Sequence, residues 1–200
     1  EASGQGSFTG RLAHYLCEQA ATLLAQGDES SARALLEQAI ASAPQVPRPR
    51  MDLAALWTRS GQAAKACKTL TEALYAAPSA IPLIAPLLAH SALAAGEGEA
   101  TLALLKSTYL DVPSLDVLDA IVTLEASSSE LTPPARDWYA RHLEKEPSLV
   151  AATKWIAGEK LEREAFHPQV QRALDHAVKP LTRYRCAACG FEAKVHFWQC

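Results

Sequence analysis

The stretch GDESSARALLEQAIASAP, Gly27 to Pro44, opens on a glycine, closes on a proline and places Ala32, Leu35, Leu36, Ala39 and Ile40 between them at three- and four-residue spacing. That period belongs to a helix with one apolar stripe. The frame returns along the chain: Gly27, Gly61 and Gly96 each stand 17 residues before Pro44, Pro78 and Pro113, and Pro147 carries the series on, so that successive prolines are 34, 35 and 34 residues apart. Each frame reads as the second half of a helical hairpin that turns at its glycine. Small residues fall where helices must approach closely, Ala20, Ala54 and Ala89 in the first helix and Ala32, Ala66 and Ala135 in the second, with the larger Leu36, Leu70, Leu105 and Tyr139 beside them. A single hairpin cannot bury such a stripe, whereas about three or more stacked hairpins bury a continuous core.

A repeat of this length is the period of a tetratricopeptide array. The expected fold class is therefore all-α, a right-handed superhelix of helical hairpins. The fourth unit, from about Asp116 to Pro147, has Glu130 in place of the glycine and the run SSSELTPP between its helices, which predicts a longer and looser turn. Beyond it, LVAATKWIAGEK and HPQVQRALDHAVKP read as one further irregular pair of helices, with Pro168 near a helix start and Pro180 closing it. EASGQGSFTG at the start reads as a flexible leader. The domain reading is a leader over 1–10, a solenoid over 11–180 and a separate tail over 181–200.

Composition narrows the function. In a chain of 200 residues, 19 basic side chains against 22 acidic ones give a net charge of −3, with no run of Lys or Arg to neutralise phosphates, so nucleic acid is not an expected partner. The apolar stretch from Ile81 is broken by Pro82 and Pro86 and reads as too short to span a bilayer. Since the chain begins at Glu1, a natural N-terminus with any membrane anchor is expected to precede it. Five cysteines, three of them in the last fifteen residues, do not form a disulfide framework and suit a reducing compartment. The sequence contains no GxGxxG, P-loop, HExxH or GxSxG, which argues against an enzyme.

A helical solenoid offers a groove lined by the first helix of each hairpin. The register puts His14, Cys17, Arg48, Met51, Arg59, His90 and Leu124 on that surface. Arg48 and Arg59 would suit a carboxylate-bearing partner, and Met51 and His90 complete the candidate partner-binding set. Cys17 and Cys67 lie in alanine-rich helices, where a small buried thiol is common.

The tail, RCAACGFEAKVHFWQC, carries different chemistry. Cys186, Cys189 and Gly190 form C-x-x-C-G, a tight turn whose glycine supplies an unusual backbone angle and whose sulfurs suit a metal knuckle. Phe191, Val195, Phe197 and Trp198 suit a short hairpin around such a site, and Cys200 would open a second knuckle. A closed thiolate site takes about four ligands; Cys186, Cys189 and Cys200 supply three of them to one zinc or iron ion, with the fourth position open or the metal lost in this chain. His196, within the hairpin strand, is not the expected fourth.

Helical repeats followed by YRCAACGFEAKVHFWQC resemble the lipopolysaccharide assembly protein B family (LapB, also YciM), at Tyr184, Cys186, Cys189, Gly190, Phe191, Trp198 and Cys200. The P-x-C expected after Cys200 does not occur here, nor does the family's N-terminal anchor. What the resemblance implies is a rubredoxin-like metal-binding β-hairpin at the C-terminus and an adaptor at the cytoplasmic face of the bacterial inner membrane. It also implies partners: the LpxC deacetylase as client, the FtsH protease that degrades it, the signalling protein YejM (PbgA), and lipopolysaccharide as a further ligand. The alternatives are a rubredoxin-like electron carrier fused to a binding scaffold, and a general assembly scaffold or co-chaperone.

Overall fold

The computed structural model describes residues 2–126, 133–157 and 167–198, with side chains from residue 8 onward apart from those of 133–136 and 167. These residues form ten α-helices and one two-stranded sheet, and they divide into two compact units, Glu1–Leu124 and Glu125–Cys200.

The first unit is built from α1 (Ala2–Ala25), α2 (Glu29–Ser42), α3 (Pro47–Arg59), α4 (Ala63–Ala76), α5 (Ile81–Ala95), α6 (Gly98–Asp111) and, at its end, α7 (Leu115–Glu125). Helices α1 and α2, α3 and α4, and α5 and α6 pack as hairpins, and α2 against α3 and α4 against α5 stack each hairpin on the next. The turns follow from the glycines. Gly27, Gly61 and Gly96 have φ of +85°, +71° and +74°, left-handed angles that cost a side-chain-bearing residue free energy and cost glycine none. At each, two backbone bonds close the preceding helix: Gly27 N–H donates to Leu24 O at 3.1 Å and Asp28 N–H to Leu23 O at 2.9 Å, and the pairs Gly61 to Thr58 with Gln62 to Trp57, and Gly96 to Leu93 with Glu97 to Ala92, repeat the pattern. This is the Schellman arrangement, and it satisfies carbonyls that a helix end leaves orphaned. Asp28 then starts α2 by accepting from Ser31 N–H at 3.0 Å.

The prolines act one residue early. Ala43, Ala77 and Val112, each just before a proline, have left the helical region, with φ/ψ of −146°/76°, −140°/70° and −134°/88°. A proline ring clashes with a helical residue ahead of it, so the second helix of each hairpin stops there. Between glycine and proline the buried positions keep phase: Ala20, Ala54 and Ala89, Ala32 and Ala66, and Leu36, Leu70 and Leu105 are all buried. In the third hairpin Thr101 takes the small-residue position and is also buried, 3.9 Å from the Cys67 sulfur.

Three expectations need correction. The leader expected over 1–10 is helical from Ala2, as part of α1; no proline interrupts it, and extending an existing helix backward is cheap compared with nucleating one. The solenoid expected over 11–180 is divided at Leu124 and Glu125, where the proline phase gives no sign of a boundary. The stretch Pro78–Ala95 is, by length and composition, apolar enough to cross a membrane. It forms a 3-10 turn and α5, and Ile81, Ile84, Ala85, Leu88, Ala89 and Ala92 are buried in the first unit.

The second unit contains α8 (Pro133–Lys145), α9 (Leu149–Ala157), α10 (His167–Val178) and a two-residue antiparallel pair, β1 (Tyr184–Arg185) with β2 (Glu192–Ala193), in which Tyr184 faces Ala193 and Arg185 faces Glu192. Helix α9 packs against both α8 and α10, and Tyr139, His142, Ala151 and Thr153 are buried. The expected further helix pair is α9 and α10, with Pro168 in the first turn of α10. Glu130 and most of SSSELTPP lie outside the described residues, as does the side chain of Ala135.

Candidate functional site

Helices α3 and α5, the first helices of successive hairpins, face each other across a hollow of about 230 Å³. Met51, Ala55 and Thr58 of α3 and Leu87, His90 and Ser91 of α5 form its walls, with Ala54 and Leu70 beneath. The spacing explains the walls: 51, 55 and 58 lie on one helical face, as do 87, 90 and 91. Two of the four partner-facing residues expected from the sequence, Met51 and His90, thus meet in one place. The Thr58 hydroxyl donates to Ala54 O at 2.9 Å, which leaves His90 and the buried Ser91 as the other polar side chains of a mainly apolar lining. Arg59, the third, is exposed in the last turn of α3, where the helix dipole favours a cation. Sequence reasoning missed Leu87, although it sits three residues before His90 on the same face.

The fourth, Arg48, is not an open groove cation. Its side chain is 8% exposed and is held by the Glu18 carboxylate of α1 and, at 3.4 Å, by Asp52 one turn along α3. A partner carboxylate would have to displace these. The cluster disturbs its neighbours in ways that follow from burial and charge. Burial pushes the Asp52 carboxyl up, and the Arg48 guanidinium holds that rise down. Burial, with the Asp52 charge beside it, pushes the Cys17 thiol up to about 12, so Cys17 is a packing residue and not a ready nucleophile. His14 is pushed below the usual imidazole range, first by burial and then by Arg48. Burial likewise raises Cys67.

A second hollow, about 250 Å³, lies against another face of α3 at its C-terminal end, lined by Glu29, Ser30 and Arg33 of α2 and by Leu56, Trp57, Ser60 and Gln62. The Arg33 guanidinium and the Lys65 ammonium stand 5.6 and 4.6 Å from the Trp57 ring centre, at cation–π distance.

In the tail, Cys186 and Cys189 lie on the turn that joins β1 to β2. Cys186 N–H donates to Phe191 O at 2.8 Å and Gly190 N–H to Cys186 O at 2.9 Å, with Gly190 at φ +76°. Cys186 is half-buried and Cys189 exposed. Two thiols on one tight glycine-closed turn suit half of a tetrahedral thiolate site. Among the described residues no group of three His, Cys, Asp or Glu side chains is placed to hold a metal ion, and Cys200, the third expected ligand, lies outside those residues. His196 stacks edge-on between Tyr184, at 5.4 Å, and Trp198, at 4.4 Å, while Phe191 and Phe197 meet at 5.3 Å. Arg183 and Glu192 add an exposed ion pair at 3.1 Å.

Residues 23–91 match the family model of the tetratricopeptide repeat, which spans α2, α3, α4 and most of α5 and so contains both walls of the α3–α5 hollow. No curated protein matches the chain. The matched repeats make this a scaffold for binding other proteins.

Proposed function

We propose that the protein is a non-catalytic adaptor that holds the LpxC deacetylase in its groove and presents it to the FtsH protease, so that lipopolysaccharide synthesis is restrained by proteolysis. The observation that carries this reading is the repeat match over 23–91 on a groove with an apolar hollow between α3 and α5. The client's name comes from the resemblance of the tail to the LapB family. In this reading the chain works at the cytoplasmic face of the inner membrane, with YejM as regulator and an anchor outside these residues as the attachment. Lipopolysaccharide is a further proposed ligand.

The tail's part is structural. Cys186 and Cys189, with Cys200, would hold one zinc or iron ion in a rubredoxin-like hairpin; the bound ion would cross-link the chain through thiolates. The test is degradation of LpxC by FtsH with and without the protein, using a chain extended past Cys200 and loaded with zinc or with iron. A shorter LpxC half-life with either metal supports the adaptor. No change in half-life overturns it, and an effect with iron alone favours the electron carrier.

A further inference from the structure

Two successive repeats differ at equivalent positions, and one of these, Leu87, lines the hollow between α3 and α5. Counting along the 34- and 35-residue period, Glu18, Arg48 and Asp52 at the α1–α3 step correspond to Asp52, Leu83 and Leu87 at the α3–α5 step. At the first step an ion cluster bridges the helices. At the second, leucines stand where the arginine and one carboxylate stood, so no ion bridge forms from those positions, and Leu87 instead lines the 230 Å³ hollow.

Volume decides what could enter. A space of 230 Å³ is below the roughly 300–1,000 Å³ of sites for drug-sized ligands and above the ~150 Å³ of a cavity that takes benzene. One large side chain fits. The lining decides its polarity: Met51, Ala54, Ala55, Leu70 and Leu87 are apolar, Thr58 spends its hydroxyl on Ala54 O, Ser91 is buried, His90 is the one ionisable side chain on the wall, and Leu87 is 42% exposed at the rim. Charge decides what flanks it. Arg59 follows Thr58 and lies one turn beyond Ala55, exposed, while Asp52 on the same helix is engaged by Arg48 at 3.4 Å. The α3 end of the hollow therefore favours a carboxylate.

We propose that this hollow is an anchor site for a protein partner segment carrying one large apolar side chain, Leu, Met or Phe, with a carboxylate beside it that meets Arg59. The proposal rests on the scaffold reading above and gives it a point of contact.

Fluorescence anisotropy of short labelled Ala/Ser peptides on the full chain tests it, the peptides carrying one Leu with a Glu three or four residues to either side. The Leu/Glu peptide should bind at least about tenfold tighter than its Leu→Ala form, as burying one leucine side chain implies, and several-fold tighter than its Glu→Lys form. Ala55→Trp, which fills the hollow from an exposed position, and Leu87→Gln on the opposite wall should each abolish the leucine preference with helical circular dichroism retained. Arg59→Glu should reverse the Glu-over-Lys preference. No binding, equal binding of the Leu and Ala peptides, or wild-type binding by both wall variants overturns the proposal. So does self-association in sedimentation that Ala55→Trp abolishes, since a second copy is then the occupant. Capture of LpxC separates the two readings: if Ala55→Trp still captures it, the scaffold stands without this anchor, and if wild type binds the Leu/Glu peptide but no LpxC, the anchor stands and the client is wrong.

Discussion

Replacing Arg48 by Met keeps much of the side chain's apolar stem and removes its guanidinium. Arg48 is 8% exposed, whereas its partners are more open, with 43% of the Glu18 and 35% of the Asp52 side chain exposed. Breaking a fully buried ion pair costs about 3–5 kcal/mol, and an exposed pair is worth about 0.2–1 kcal/mol. Partners a third or more exposed are screened by water, so the expected loss at neutral pH is about 1–3 kcal/mol. Its pH dependence has a definite sign. Burial raises the Asp52 carboxyl in the folded state, so folding is helped while Asp52 is protonated, and that help is lost as pH rises through the folded value. Arg48 opposes the rise; without it the folded value climbs further and the penalty at neutral pH grows. The deficit of Arg48→Met against wild type should therefore shrink as pH falls toward the carboxylate range, and Asp52→Asn in the same chain should recover much of it. The chain has two units, so a single melting temperature would mix them. Hydrogen exchange of peptides from α1 and α3, across a urea series at neutral and mildly acidic pH, reads the loss where it arises. Unchanged protection at neutral pH, or a deficit that grows on acidification, would refute the account of Arg48 as an internal clamp.

Other perturbations test the hairpins and the tail. Gly61→Ala should cost about 1–2 kcal/mol, because an added Cβ meets nothing within 4 Å and only the left-handed angle is penalised; unchanged exchange protection of α3 and α4 across a urea series would count against it. Ala89→Leu, at a fully buried helix crossing, should overpack and cost about 1–3 kcal/mol in the same assay. Leu105→Ala should cost about 2–5 kcal/mol as a buried cavity, seen as lost exchange protection in α5 and α6. Cys186→Ser with Cys189→Ser should abolish zinc uptake by a chain extended past Cys200; stoichiometric zinc in that variant would reject the thiolate site.

The hairpins were legible because each signal acts on its own neighbourhood. A glycine at φ +71° or a proline that ejects the residue before it needs no distant partner, so Gly27, Gly61, Gly96, Pro44, Pro78 and Pro113 could be read from spacing. Arg48 could not. Whether it faces a partner or its own protein depends on Glu18, 30 residues earlier on another helix, and nothing in the local pattern announces that pairing. The division after Leu124 was hidden for a related reason, since Pro147 keeps the period beyond it. Met51 and His90 were assigned to the groove as separate residues; that they share a hollow depends on how one hairpin stacks on the next.

In a stacked-repeat protein these two kinds of position do different work. The turn glycines, the terminating prolines and the Ala and Leu columns recur because every hairpin must turn, stop and pack in the same way, so they specify the scaffold and say little about the ligand. Information about the ligand lies where equivalent positions depart from one another. Arg48 becomes Leu83 and Asp52 becomes Leu87 one repeat later, which removes the charges of the bridge and puts Leu87 on the wall of the hollow, although the backbone register is kept. Each leucine is of ordinary type for a helix, so neither is conspicuous alone. Only superposing one repeat on the next turns them into a statement about what the groove can hold.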